Sequence, residues 1–123
     1  MDNVFIGLMT GTSADSLDCA AINFLDEEMH VVGLKNYDIP HNLKDQIKEN
    51  IQAVKLDVLK VKELDISLGI FFADSVEDFM NSLSLKKEQI KAIGSHGQTI
   101  KHEPQSINPY SLQVGDPQLM SDY

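Results

Sequence analysis

A segment rich in hydroxyl groups follows the first apolar run of the sequence. It reads TGTSADSLD and spans Thr10 to Asp18. Glycine lets a ligand approach the backbone closely, and threonine and serine hydroxyls donate hydrogen bonds without carrying a formal charge. Carboxylates at the rim of such a loop suit the Mg²⁺ ion that accompanies a nucleotide, commonly through bound water. The segment therefore predicts a cradle for the phosphates of a Mg²⁺–nucleotide complex.

The same residue types also suit a plain hairpin loop. Serine, threonine and aspartate side chains often hydrogen-bond their own backbone in tight turns, and Asp18 would then only fix the loop. The segment matches neither the GxxxxGK[ST] phosphate loop nor the GxGxxG dinucleotide fingerprint. It also leads into a strand, whereas both of those motifs open a helix. On local chemistry alone, phosphate binding and a simple turn both stay open.

A second polar cluster, GSHGQTIKHEP at residues 94–104, follows another short apolar run. His96 and Gln98 can each donate and accept hydrogen bonds, which suits a ligand with many hydroxyl groups, such as a sugar. A zinc site built from His96, His102 and Glu103 is an alternative, but the spacing of the histidines lacks the helical period that would place both on one face, so we expect no metal here. His96 could instead satisfy only the end of a buried strand, and His102 fits a solvated loop.

Apolar periodicity places both clusters directly after strands. The first part of the chain reads as three strands with short connections, which predicts an antiparallel meander. The predicted strands are Val4–Met9, Cys19–Leu25, Met29–Ile39, Ile90–Ile93 and, in an otherwise irregular C-terminal stretch, Tyr110–Val114. Ligands of open α/β sheets bind at the carboxyl ends of strands, so both clusters lie where a ligand is expected.

Two amphipathic helices are predicted between the third and fourth strands. The first has apolar residues at steps of four, four and three, with Asn42 available as its N-cap. These apolar residues are Leu43, Ile47, Ile51 and Val54. The second covers Val61–Leu83 and buries a broad face made of Leu64, Leu68, Phe71, Phe72, Phe79 and Leu83. The pattern predicts an α/β fold with a mixed sheet, antiparallel in its first three strands, and flanking helices.

Composition excludes several classes of partner. The chain has 123 residues, the length of one domain, and a formal net charge of −9 at pH 7. All ten basic residues are lysines, so the chain lacks the bidentate arginine clamp for phosphate, and its charge would repel nucleic acid and anionic lipid. No apolar run is long enough to span a membrane, and Cys19 is the single cysteine. We expect a cytoplasmic protein with a small-molecule ligand and without nucleic-acid or membrane partners.

Three motifs in series resemble the anhydro-N-acetylmuramic acid kinase family. They are GLMTGTSADSLD at Gly7–Asp18, SHGQTIKHEP at Ser95–Pro104 and LQVGDP at Leu112–Pro117. The resemblance implies an actin-like, hexokinase-type fold of the ribonuclease H-like class, in which two lobes close around ATP, Mg²⁺ and an amino sugar. It also implies that 1,6-anhydro-N-acetylmuramic acid is hydrolysed at its anhydro bridge and phosphorylated to N-acetylmuramic acid 6-phosphate, a step of peptidoglycan recycling.

The resemblance assigns roles to individual residues. The nucleotide-binding loop of the family matches Gly11, Thr12, Ser13, Ala14, Asp15, Ser16, Leu17 and Asp18, with Thr12 and Ser13 near the phosphates. The segment that lines the sugar cleft matches His96 and Gln98, and the segment that closes the sheet of this lobe matches Gln113, Gly115 and Asp116.

Two positions depart from the family pattern. The family usually has serine in place of Thr10, which keeps the hydroxyl, and glycine in place of Ser16. The second change reduces the backbone freedom of the phosphate turn.

Family members continue through a second lobe, whereas this sequence ends at Tyr123. The resemblance places the catalytic aspartate, the adenosine clamp and further sugar contacts in that second lobe. Phosphoryl transfer needs both sides of a cleft to position the γ-phosphate, so we expect residues 1–123 to be the N-terminal lobe of a sugar kinase and to be inactive alone.

Other hypotheses stay open at this point. One is an actin-fold phosphohydrolase that acts on polyphosphate or nucleotide, for which the first cluster would suffice. Another is a non-catalytic domain that binds a partner through an exposed interface. The sequence is also compatible with a homodimer.

Overall fold

The computed structural model describes residues 1–11 and 13–121, which form an α/β domain. The strands are β1 (Val4–Thr10), β2 (Ser16–Leu25), β3 (Glu28–Asp38), β4 (Ile90–Ser95), β5 (Gln98–Glu103) and β6 (Tyr110–Val114). The helices are α1 (His41–Gln52), α2 (Val58–Ser82) and the short α3 (Gln118–Ser121), and a 3₁₀ turn at Lys87–Gln89 precedes β4. The predicted α/β class is confirmed.

Among the described residues, the main sheet has four strands in the order β3-β2-β1-β4. β1 runs antiparallel to β2, and β2 runs antiparallel to β3, which confirms the predicted meander. β4 runs parallel to β1, because α1 and α2 carry the chain back along one face of the sheet before it pairs again. The sheet is therefore mixed, as predicted.

β5 and β6 form a separate antiparallel hairpin. The bounds of β6 agree with the prediction, but the prediction of an irregular segment at β5 is wrong. The inward-facing residues of β5 are Gln98 and Ile100, so one of its two buried positions is polar and the alternation of apolar residues is weak. Ile100 and Val114 join the hairpin to the common hydrophobic core.

The hydrophobic core lies between the sheet and the two long helices. Alternate residues of β1 point into it, and Val4, Ile6 and Leu8 are at most 4% exposed. Of the residues predicted for the core face of α2, Leu64, Leu68, Phe72 and Phe79 are buried, while Phe71 and Leu83 are partly buried. Burial of each large apolar side chain contributes about 1.5–3 kcal/mol, so this layer dominates the stability of the fold.

α1 begins one residue earlier than its predicted cap. Pro40 occupies the N-cap position and none of the described side chains caps the helix, so the prediction of Asn42 as the N-cap is wrong. Leu43 and Ile47 are buried as predicted. Val54 lies beyond the end of α1 and is fully exposed, so the predicted apolar face ends before it.

α2 begins at Val58, three residues before its predicted start. The Asp57 carboxylate accepts hydrogen bonds from the backbone N–H groups of Leu59 and Lys60 at 2.9 and 3.3 Å, and this side-chain cap fixes the first turn. In the part of the chain that the structure describes, no helix combines the length and the apolar character needed to cross a membrane.

Lys35 and Tyr37 of β3 both contact Asp78 of α2. The Lys35 ammonium lies 2.9 Å from Asp78 Oδ2, and the Tyr37 hydroxyl donates a hydrogen bond to the same oxygen. The hydrogen bond from Tyr37 and then that from Lys35 lower the pKa of the Asp78 carboxyl. Burial, followed by the contact with Asp78, raises the pKa of the Tyr37 hydroxyl. These contacts fasten the edge strand β3 to the helix layer.

Asp78→Asn should lower the melting temperature at pH 7, because it removes the carboxylate that accepts from Lys35 and Tyr37. The folded state favours the ionised form of Asp78. The contribution of this carboxylate to the stability of the fold is therefore full above its ordinary pKa of 3.8, and it is lost as the pH falls through the lower pKa of the folded state. Melting curves of the wild type and the variant, followed by circular dichroism from pH 7 to pH 2, should therefore converge at the acidic end.

Glu77→Gln is the matched control, since it removes a neighbouring exposed carboxylate and leaves both contacts of Asp78 in place. A difference between Asp78→Asn and wild type that stays constant over the whole pH range would contradict this role of Asp78.

Candidate functional site

The parallel pairing of β1 with β4 brings the two polar clusters together. Leu8 pairs with Ser95, so both strands end at the same edge of the sheet. The backbone N–H of His96 donates to Leu8 O at 3.3 Å and extends the pairing beyond the end of β4. The first loop (residues 11–15, between β1 and β2) and the second loop (His96 and Gly97, between β4 and β5) therefore lie side by side. Both follow the carboxyl ends of strands, as the sequence predicts.

Side chains of Thr10 and Gln98 hydrogen-bond across the two loops. The buried Thr10 hydroxyl donates to Gly97 O at 3.1 Å. The Gln98 amide Nε2 donates to Gly11 O at 3.3 Å and to Thr99 O at 3.1 Å. A buried polar group that loses its partner costs about 1–3 kcal/mol, so these bonds hold the first and second loops as one unit.

Glycine is required at position 97 by both conformation and space. Gly97 has a φ of +75°, and a Cβ atom there would lie 2.8 Å from Val114 O. The chain can therefore turn tightly from β4 into β5, with β6 packed directly against the second loop.

The first loop makes its turn at Ala14. This residue is buried, has a φ of +56°, and donates its backbone N–H to Gly11 O at 3.1 Å. The left-handed region is unfavourable for alanine by about 1–2 kcal/mol, and residues held in it are often found at functional sites. The backbone O of Asp15 accepts from the N–H of Ile39 at 3.1 Å, which ties the end of the loop to the residue after β3.

The residues predicted to bind phosphate differ in exposure. Gly11, Ser13, Asp15 and Asp18 are exposed, Ser16 is half-buried, and the side chains of Ala14 and Leu17 lie in the hydrophobic core. Thr12 lies outside the described residues. A ligand over the first loop can reach the Ser13 hydroxyl and the Asp15 carboxylate, whereas Ala14 and Leu17 can contribute only through their backbone.

Asn36 of β3 positions Asp18. Its Nδ2 atom donates to Asp18 Oδ1 at 2.7 Å and to Ser16 Oγ at 2.8 Å. Asp18 pairs with Asn36 in the β2–β3 ladder, so the Asp18 carboxylate is held beside the first loop. The sequence analysis missed Asn36. The feature that brings Asn36 opposite Asp18 is the register of the β2–β3 hairpin. This register is set by the turn at Asp26–Glu27 and shifted by a bulge between Ala21 and Ile22.

His96 and Gln98, predicted together as sugar ligands, occupy different environments. His96 is exposed, and its Nδ1 atom lies 3.3 Å from Gly97 O. Gln98 is 0% exposed, and its Oε1 atom has no hydrogen-bond partner among the described residues. The His96 ring is thus accessible to a ligand, while Gln98 supports the two loops from beneath.

The geometry does not support the zinc alternative. His102 and Glu103 are exposed on β5. Within residues 1–11 and 13–121, no three histidine, cysteine, aspartate or glutamate side chains lie close enough together to hold a metal ion. Cys19 is buried, and burial raises the pKa of its thiol to about 12, so it is not a thiolate at neutral pH.

The segment Gln113–Asp116 begins in the last residues of β6, which pairs with β5 rather than with the four-stranded sheet. Gln113 lies opposite Thr99 in the β5–β6 ladder. Gly115, with a φ of +121°, donates its N–H to Asp65 Oδ1 at 2.8 Å, and the N–H of Asp116 donates to Asp65 O at 3.1 Å. The expectation that this segment closes the sheet of the lobe is therefore wrong, because the segment adds no strand to the four-stranded sheet. It fastens the β5–β6 hairpin to α2 instead.

Comparisons with known proteins all point to the same family. A family model described as anhydro-N-acetylmuramic acid kinase matches residues 3–123. The anhydro-N-acetylmuramic acid kinase of Sulfurimonas denitrificans is 38% identical over 121 residues, which cover 98% of this chain and 33% of that protein. The enzymes of the same name from Vibrio vulnificus (strain CMCP6) and Pasteurella multocida are each 34% identical, over 96% and 95% of this chain and 32% and 31% of theirs.

The chain thus spans about a third of the length of the curated relatives that it matches. The similarity extends over all the elements described above, from β1 to α3, including both loops.

Gln98→Glu should destabilise the protein more than Gln98→Met. Methionine removes the hydrogen bonds to Gly11 and Thr99 at a similar side-chain volume, with an expected loss of about 1–3 kcal/mol. Glutamate places a buried charge against the same two carbonyls, so we expect a loss of several kcal/mol at pH 7. Urea denaturation measures both free energies of unfolding.

The loss caused by Gln98→Glu should shrink as the pH falls from 8 to 5, because the protonated acid can donate a hydrogen bond again and the burial of the charge is relieved. Gln98→Met should show no such recovery. Equal losses for the two variants at pH 7 would contradict the buried, donating role of this amide.

Proposed function

Since the chain belongs to the anhydro-N-acetylmuramic acid kinase family, we propose that it is the N-terminal lobe of an ATP-dependent sugar kinase with an actin-like fold. The observation that supports this proposal best is the unit formed by the first and second loops at the carboxyl edge of β1 and β4. A sugar kinase must hold its phosphate donor and its acceptor at a fixed separation, and hydrogen bonds between two adjacent loops serve that purpose.

The first loop is the proposed phosphate site. The exposed Gly11 leaves room for close approach to the backbone, and the exposed Ser13 hydroxyl is a neutral donor, with Thr12 expected to provide another. The hydrogen bond from Ala14 N–H to Gly11 O closes the turn of the first loop, which gives the loop a compact shape suited to a phosphate chain. The buried side chains of Ala14 and Leu17 anchor this loop in the core.

The carboxylates beside the loop fit a hydrated Mg²⁺ ion. Asp15 is exposed at the end of the first loop, and Asp18 is held in place by Asn36. Mg²⁺ keeps several of its waters and usually needs only one or two protein carboxylates. In a chain without arginine, bound Mg²⁺ would supply the positive charge that offsets the phosphate oxygens.

The second loop is the proposed sugar site. The exposed His96 ring can donate and accept hydrogen bonds with sugar hydroxyls. Gln98 contributes by holding the second loop against Gly11, which links the position of the sugar to that of the phosphates. The adjacency of His96 and the first loop is what favours a kinase over a phosphohydrolase, for which the first loop alone would suffice.

The proposed reaction consumes 1,6-anhydro-N-acetylmuramic acid, water and ATP. Water attacks the anomeric carbon, and the bond from this carbon to the bridging oxygen breaks. The released primary oxygen then attacks the γ-phosphorus, and the bond to the β-phosphate oxygen breaks, giving N-acetylmuramic acid 6-phosphate, ADP and a proton. The carboxylate base that activates the water is expected outside residues 1–123, and this step of peptidoglycan recycling is expected in the cytoplasm, where ATP is present.

Mg²⁺–ATP added to the ¹⁵N-labelled chain should shift the amide NMR signals of Gly11, Ser13 and Asp15 and leave those near Ser106, at the far end of the hairpin, unchanged. The physical reason is direct contact of the phosphates with the first loop. Asp15→Asn should weaken this binding by roughly three- to tenfold in the presence of Mg²⁺, as expected for an exposed charge near a metal-bound phosphate.

Glu27→Gln, at the opposite end of β2, is the control and should bind as the wild type does. The proposal fails if the shifts are confined to residues away from the first loop. Formation of sugar phosphate by the 123-residue chain alone would contradict the expectation that the second lobe is required.

In a longer polypeptide that includes the second lobe, His96→Ala should weaken the binding of 1,6-anhydro-N-acetylmuramic acid, detected by saturation-transfer NMR, and should leave the binding of Mg²⁺–ATP nearly unchanged. The reason is that His96 lies in the second loop, whereas the phosphates contact the first. His102→Ala, on the neighbouring strand, is the control and should keep sugar binding. Absence of sugar binding by the wild type, together with tight binding of tripolyphosphate, would favour the phosphohydrolase alternative.

A further inference from the structure

Asn36, on the edge strand β3, lies beside two residues that follow the first loop. Its Nδ2 atom carries two hydrogens, which are donated to Asp18 Oδ1 at 2.7 Å and to Ser16 Oγ at 2.8 Å. The three side chains share one face of the sheet, since Asp18 pairs directly with Asn36 and Ser16 lies two residues before Asp18 on β2. One amide group therefore restrains both polar side chains at the start of β2.

A β-bulge at Val32 brings Asn36 to this position. Val32 is an extra residue between two consecutive pairs of the β2–β3 ladder. Without it, the following residues of β3 would move by one position, and Asp18 would lie opposite Lys35. With the bulge in place, Lys35 lies on the other face of the sheet, where its ammonium contacts Asp78. The bulge thus gives Asp18 an amide as its neighbour instead of an ammonium.

The difference between an amide and an ammonium decides how strongly Asp18 can attract a metal ion. An ammonium at hydrogen-bond distance would offset the negative charge of the carboxylate and weaken its attraction for a cation. The amide of Asn36 is neutral, so it orients the carboxylate and leaves the charge in place. Its hydrogen bond goes to Oδ1, which leaves Oδ2 available to a water bound to a metal ion.

The end of β3 also holds the backbone of the first loop. The N–H of Ile39, the residue after β3, donates to Asp15 O at 3.1 Å, and the next residue along the chain, Ser16, accepts from Asn36. Ser16 Oγ is the acceptor in this bond, so its own hydroxyl proton remains available as a donor. The loop and the Asp18 carboxylate are therefore positioned by the same short segment of β3.

We propose that Asn36 is a positioning residue for the metal ion that accompanies the nucleotide: it holds the Asp18 carboxylate, at full charge, where Oδ2 accepts a hydrogen bond from a water of bound Mg²⁺. Protein-bound Mg²⁺ keeps several of its waters, so an oriented carboxylate oxygen is the contribution that the protein can make. The inference rests on the proposed function, which places the phosphates at the first loop. It adds that the dependence of binding on Mg²⁺ passes through Asn36, whereas contact with the phosphates does not.

The test compares ATP binding in excess Mg²⁺ with ATP binding in EDTA, followed by the amide NMR signals of Gly11 and Ser13. Asn36→Leu keeps the branched shape of the side chain and removes its donors. It should weaken binding by roughly three- to tenfold in Mg²⁺ and leave binding in EDTA unchanged, because only the first depends on the orientation of Asp18. Asn108→Leu, an exposed change at the far end of the β5–β6 hairpin, is the matched control and should bind as the wild type does under both conditions.

A double-mutant cycle shows whether Asn36 acts through Asp18. Asp18→Asn should weaken the binding of Mg²⁺–ATP at least as much as Asn36→Leu does, and the double variant should bind no more weakly than Asp18→Asn alone. Additive losses would mean that Asn36 acts independently of Asp18 and would overturn the inference. Equal losses from Asn36→Leu in Mg²⁺ and in EDTA would also overturn it, because they would indicate a distorted loop instead of a misplaced carboxylate.

Mn²⁺ added to the wild-type chain without nucleotide separates this inference from the proposed function. The paramagnetic ion should broaden the side-chain amide signals of Asn36 and the backbone amide signal of Asp18 more than that of Glu27, an exposed acidic residue at the other end of β2. Asn36→Leu should reduce the broadening at Asp18.

This effect needs no ATP, so it should persist even where ATP fails to bind the first loop, an outcome that refutes the proposed phosphate site alone. Broadening at Asn36 no greater than at Glu27, with and without ATP, would overturn the role of Asn36 wherever the phosphates bind.

Discussion

The parallel pairing of β1 with β4 is the constraint on which the proposed site depends. It brings together segments that are more than 80 residues apart in the sequence, and the hydrogen bonds from Thr10 to Gly97 and from Gln98 to Gly11 fix their relative positions. The pairing requires the chain to cross one face of the sheet as α1 and α2. The hydrophobic core that Leu64, Leu68 and Phe72 share with β1 therefore helps to align the loops. Stability and function are thus coupled through one strand, since β1 carries core residues on one side and ends in the proposed phosphate loop.

Much of the fold follows from local patterns in the sequence. The meander and the long helix were predictable because short apolar runs ended by turn residues and a broad apolar stripe at helical spacing are strong signals, and the resemblance of three motifs identified the family. The helix starts were less accurate, since the Asp57 cap and the cap at Pro40 depend on backbone geometry that residue spacing alone does not fix. β5 was missed because one of its two buried residues is the polar Gln98.

The parts of the site that sequence reasoning missed depend on register and burial. A two-residue turn at Asp26–Glu27 alone would place Asp18 opposite Lys35, and the bulge between Ala21 and Ile22 shifts the partner to Asn36. Gln98 is buried because the β5–β6 hairpin folds back under the second loop. This is a tertiary contact, which local sequence patterns do not predict.

A crystal structure of the chain grown with Mg²⁺ and ATP tests the central claim most directly. The account predicts the triphosphate against Gly11, Ser13 and Asp15, the Gln98 amide still bonded to Gly11 O, and His96 facing the space beside the γ-phosphate. A triphosphate bound away from the turn between β1 and β2, with these two loops in place, would contradict it.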